Sequence, residues 1–170
     1  MSLVRDRELM KPQPVKSAAV LAGLLLACLA AGALGSWATI PNVGTWYEGL
    51  AKPGFTPPNW VFTPVWTALY IAMAVAAWLV WRADPGAPEV RAALTAFFVQ
   101  LVLNAAWSWA FFGLHSPLLG LIVILALIAA IVWTMRLFWL LSPLATALMV
   151  PYLAWVLYAC ALNGAILALN

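Results

Sequence analysis

PLLGLIVILALIAAIVWTMRLFWL, residues 117–140, carries a single charged side chain, Arg136, and that one close to its end. At 1.5 Å per residue, about 20 apolar residues in a helix cross the roughly 30 Å hydrocarbon core of a bilayer. The run is long enough, and it shows neither strand-like alternation nor a polar stripe. It reads as a transmembrane helix that meets lipid. The same character repeats on both sides of it. Pro143–Leu169 follows, and Val90–Gly113, Pro64–Trp81 and Ser17–Ala38 precede it. The 170 residues are 66% hydrophobic and 8% charged, with a mean hydropathy of +1.01. A soluble domain of this size cannot cover that much apolar surface. Backbone groups in lipid must be satisfied within the segment, so the expected fold is all-α: an integral-membrane bundle of five helices. Residues 1–16 read as a mobile, solvated tail ahead of a single domain over 17–169.

The run boundaries carry their own signals. Thr63-Pro64, Ser116-Pro117 and Ser142-Pro143 each place a hydroxyl before a proline, the pattern of an N-cap followed by the first helical residue. The segment DPGAPE, 84–89, reads as a turn that opens the third helix at Pro88 and Glu89. Pro151 falls inside the fifth run and should kink or loosen it. With five spans, Arg5, Arg7, Lys11, Lys16, Arg82, Arg91 and Arg136 share one side, and Lys52 alone lies on the other. The positive-inside rule makes the first side, with the N-terminus, cytoplasmic. This bias accounts for the net charge of +3, and no nucleic-acid surface is expected. A signal peptide competes for the first run, but that run exceeds the usual 7–15-residue apolar core.

Between the first two runs lies WYEGLAKPGFTPPNWVFTPVWTALY, residues 46–70, with three Trp, two Tyr, two Phe and four Pro. Aromatic rings bury large areas at low entropic cost, and proline restricts the backbone in advance. A slack connector needs neither, so the segment reads as a structured lid.

No acid–base pair, metal-type spacing or nucleotide-binding motif is present, and no carboxylate lies inside a run. Cys28 and Cys160 read as small buried hydrophobes. His115, the only histidine, could ligate a haem iron but reads rather as a solvated or capping residue. The remaining chemistry lies in stripes. Gln100, Asn104 and Ser108 recur every four residues in the third run, beside Phe97, Trp107 and Phe111. Amides are costly in lipid and should face inward. Tyr152, Trp155, Ala159 and Leu162 mark a face of the fifth run, beside Asn163. Trp66, Tyr70, Met73 and Ala77 mark one of the second. Three aromatic faces under an aromatic lid point to a ligand cavity, with Asn104 orienting the ligand rather than holding the fold. Gly23, Ala27, Ala31 and Gly35 form a small-residue line in the first run that serves either internal packing or a dimer seam.

At three blocks the chain resembles the TspO/MBR family of tryptophan-rich sensory proteins, relatives of the mitochondrial translocator protein. They are residues 46–70, QLVLNAAWSWAFFG at 100–113, and SPLATALMVPYLAWVLYACALN at 142–163. The resemblance implies a five-helix bundle, often a homodimer, whose first loop closes over a cavity for porphyrins such as protoporphyrin IX or haem. By motif, Trp66, Asn104, Trp107, Trp155 and Ala159 fall at cavity positions, and Tyr47 and Pro57 at lid positions; Leu162 joins them as a ligand-binding candidate from its stripe alone. No obligatory cofactor and no metal are implied. The proposed C-terminal cholesterol motif of animal members is not matched, because Gly164 stands where they have Tyr and no Lys or Arg follows Arg136. The expected setting is a bacterial cytoplasmic membrane. The expected role is a porphyrin-binding sensor that regulates tetrapyrrole metabolism. The alternatives are a transporter of amphipathic molecules and a light- and oxygen-dependent porphyrin-degrading enzyme.

Overall fold

The computed structural model describes residues 14–170, which form five long helices and no strand among them. They are α1 (Pro14–Val43), α2 (Phe62–Ala83), α3 (Pro88–Ser108), α4 (Pro117–Leu141) and α5 (Pro143–Leu169). All five are long and apolar enough to span a membrane. The last three starts follow the capping chemistry. Proline takes the first turn of each, and the Ser116 and Ser142 hydroxyls accept from Leu119 N and Ala145 N at 3.2 and 3.3 Å. Thr63 does not act as the expected cap. A short 3₁₀ turn, Asn59–Val61, leads directly into α2 at Phe62, so Thr63 is already helical. α1 starts at Pro14 and runs on through Pro41, longer at both ends than its apolar core. Apart from residues 14–16, the expected mobile tail lies outside the described residues.

The helices form a closed ring in which each packs on two neighbours, in the order α1, α2, α5, α4, α3 and back to α1. α2 also reaches across to α3, whereas α5 has no close backbone approach to α1 or α3. The ring is therefore dense at one end and open at the other. At the end bearing Lys16, Arg82 and Arg91, a fully buried core of Cys28, Met73, Val80, Phe97, Phe138 and Met149 fills the centre. There Trp78 Nε1 donates to Ser17 O at 3.0 Å and ties α1 to α2.

α4 corrects the expectation of a wholly lipid-facing helix. Gly120, Ile124, Leu127, Ile131, Thr134 and Phe138 recur at helical spacing and are buried against α3 and α5. Leu118, Ile122, Leu125 and Trp133 form the exposed face. Glycine is required at Gly120, where a Cβ would lie 2.8 Å from Asn163 Oδ1 and 2.9 Å from the Phe111 ring. The small-residue line of α1 divides. Ala31 and Gly35 are buried, with Ser108 packed against Gly35, whereas nothing approaches Gly23. α5 runs unbroken through Pro151.

Candidate functional site

α3 does not end as a plain α-helix. Residues Trp109–Gly113 widen into a π turn, closed by Leu114 N to Trp109 O at 2.8 Å. Such turns re-aim side chains. Here consecutive residues Ala110, Phe111 and Phe112 are all buried, which a regular helix surface seldom allows. Phe111 then packs against Trp107 (5.8 Å between centroids), Trp46 (5.5 Å) and Tyr47 (6.2 Å).

The gap left by α5 at this end encloses a cavity of about 500 Å³. Its wall comes from the second half of α1, the first half of α2, the end of α3 with its π turn, the second half of α5, and the lid residues Tyr47 and Asn59. No charged side chain is among the lining residues. Trp66 stacks on Tyr70 at 5.4 Å, and Trp155 meets Phe62 edge-on at 5.9 Å. Several lining residues are exposed, among them Leu29, Ala33, Ser36 and Ile40 on α1 and Thr63 and Thr67 on α2.

A chain of hydrogen bonds forms the floor. Tyr70 Oη donates to Asn104 Oδ1 (2.7 Å), Asn104 Nδ2 donates to Tyr152 Oη (3.1 Å), and Tyr152 Oη donates to Gln100 Oε1 (2.8 Å). These side chains bridge α2, α3 and α5 where the α3 and α5 backbones stand apart. Asn163 makes a second brace. Its Nδ2 donates to Pro117 O at 2.7 Å, and its Oδ1 accepts from Trp107 Nε1 at 3.3 Å.

The lid is fastened from α5. The Asn170 carboxamide accepts from Ala51 N and donates to Ala51 O, both at 3.0 Å. Tyr158 Oη donates to Phe55 O at 2.6 Å. Tyr47 is 4% exposed, its hydroxyl has no partner, and burial with Tyr158 nearby pushes its pKa up. Lys52 lies over the Tyr47 ring, with Nζ 4.9 Å from the centroid.

Of the residues singled out from sequence, Tyr47, Trp66, Asn104, Trp107, Trp155, Ala159 and Leu162 line this cavity together, and Pro57 does not. Pro57 is half-buried within the lid. Asn104 also has a duty its stripe did not show, since it links Tyr70 to Tyr152. Phe62, Tyr158 and Phe112 line the cavity and were missed. All three belong to the quoted blocks, and the first two could have been found there. Phe112 depends on the π turn and could not. His115 lies outside the lining. It takes a positive φ of 52°, a backbone region in which histidine is among the better-tolerated side chains. Its Nε2 is 2.7 Å from Asn42 Oδ1, and its ring stacks on Trp46 at 4.8 Å, so it joins the α3–α4 connection to the end of α1. No group of residues suited to holding a metal ion occurs among the described residues.

The profile of the TspO/MBR family matches residues 24–169. The "Tryptophan-rich protein TspO" of Archaeoglobus fulgidus is 45% identical over 150 residues, 88% of this chain and 96% of that protein. The "Tryptophan-rich sensory protein" of Cereibacter sphaeroides is 36% identical over 148 residues, 86% and 91% of the two chains. The human "Translocator protein" is 40% identical over 119 residues, 69% and 70%.

Proposed function

The chain belongs to the TspO/MBR family and is an integral, multi-pass membrane protein; on that premise we propose that it is a membrane receptor for porphyrins. The observation that carries this reading is the cavity itself, which is large, aromatic-walled, free of charge and closed above by a fastened lid. Its volume of about 500 Å³ lies in the usual range for small-molecule sites. Indole and phenol faces at several angles suit a broad, flat, apolar ligand. The names of the relatives, sensory protein and translocator protein, support a sensor or translocator role in the membrane. The N-terminus is assigned to the cytoplasm and the lid to the opposite face by the basic bias. Transport is the second reading, favoured by the exposed lining residues of α1 and α2, past which a lipid-dissolved molecule would reach the cavity.

The test is a titration of the purified protein with protoporphyrin IX in the dark and under illumination. Saturable quenching without bleaching is the receptor's signature. Bleaching with a new product would instead mean light-driven degradation, and no saturable change would sink the porphyrin assignment. Trp66→Ala and Trp155→Ala should each weaken binding by about 1–3 kcal/mol, the usual cost of truncating an aromatic anchor. Unchanged titrations in both folded variants would move the ligand out of this cavity.

A further inference from the structure

Protoporphyrin carries two propionates, and the cavity wall offers no charge to meet them. A carboxylate drawn into apolar surroundings requires a paired and hydrogen-bonded partner. Among the described residues, Lys52 is the only Lys or Arg away from the opposite end. We infer that Lys52 and Tyr47 form an anchor for a ligand carboxylate at the lid edge of the cavity, an inference that rests on the porphyrin reading above.

Four observations support the assignment. Lys52 is half-buried rather than extended into solvent. Its ammonium donates to Glu48 O at 3.0 Å and Leu50 O at 3.1 Å. Both acceptors are main-chain oxygens, so the positive charge is held in place without being neutralised by them. One of the three ammonium hydrogens remains free for a further acceptor. Tyr47 links this ammonium to the cavity, because Lys52 Nζ lies over its ring and Tyr47 itself belongs to the cavity lining. The Tyr47 hydroxyl is buried without a partner. A buried donor left unmatched is destabilising, and a ligand oxygen reaching it as the lid settles would remove that penalty. Its pKa is raised, so it stays a neutral donor. The anchor therefore takes an apolar plate with an acidic edge, oriented with its carboxylate toward the lid and its ring system toward the tyrosine–amide floor.

The experiment compares protoporphyrin IX with its dimethyl ester, titrated in the dark against the full-length wild type, Lys52→Met, Lys52→Arg and Tyr47→Phe. Lys52→Met keeps an aliphatic stem at a partly exposed position. It should weaken the free acid about tenfold and leave the ester within about twofold, as loss of one charge-assisted contact requires. Lys52→Arg should restore most of the acid's affinity. Tyr47→Phe should lower affinity for the acid more than for the ester. Added salt should weaken the acid on the wild type and have less effect on Lys52→Met. Equal losses for acid and ester, or no loss in Lys52→Met, would overturn the anchor while leaving the porphyrin cavity standing. A wild type that binds neither compound would overturn both.

Discussion

Tyr152 donates to Gln100 and accepts from Asn104 in the middle of the bundle, so one hydroxyl serves two amides. Tyr152→Phe strands both. Intramembrane hydrogen bonds average about 0.6 kcal/mol and reach about 1.7, so a loss of roughly 1–2 kcal/mol is expected in a reversible unfolding assay. Asn104→Leu should likewise lower stability, because it unpairs the Tyr70 hydroxyl and removes one of the two bonds of Tyr152. A variant as stable as the wild type but weaker in ligand binding would return Asn104 to the purely orienting role its sequence stripe suggests. Gly120→Ala puts a methyl against Asn163 and Phe111 and should cost about 1–3 kcal/mol by overpacking. At this scale the sequence was half legible. The four-residue spacing of Gln100, Asn104 and Ser108 shows that they share a face. The partners Tyr70 and Tyr152 lie 34 and 48 residues from Asn104, and no local pattern names them.

Among the connections the lid has the most to say. Its prolines at 53, 57, 58 and 64 mark a chain with few backbone states, and it is indeed ordered against the bundle. What holds it was not legible, because Asn170 and Tyr158 are remote in sequence and carry no signature of a latch. Tyr158→Phe removes the bond to Phe55 O and should speed ligand dissociation more than it slows association, read by stopped-flow. Hydrogen exchange across residues 46–59 should slow when porphyrin is added, while the turn at 84–88 stays unchanged. Equal protection with and without ligand would make the segment a fixed cap. The π turn at the end of α3 is the other feature hidden from sequence. Its register depends on Leu114 N bonding back to Trp109 O, and nothing in WAFFG announces a sixth residue in the turn.

Taken as a whole, the molecule has a dense basic end and a hollow lidded end. A cysteine at Gly49, with Cys28 and Cys160 replaced, should react with an impermeant thiol reagent in intact cells; labelling only after lysis would invert the orientation. The five spans and most of their bounds were legible because bilayer thickness fixes their length and because capping prolines mark three of their starts. The order of the ring was not, since apolar faces do not say which neighbour they meet. Lateral entry past the exposed lining residues of α1 and α2 would change what concentration means for this protein. A molecule that dissolves in lipid and arrives through that side meets the site from a thin two-dimensional solvent. Occupancy then follows its mole fraction among the lipids, not its molarity in buffer. Doubling the lipid at fixed protein and fixed porphyrin should dilute the ligand and lower occupancy. Dissociation constants quoted per volume of water would then differ from one reconstitution to the next, although the protein had not changed.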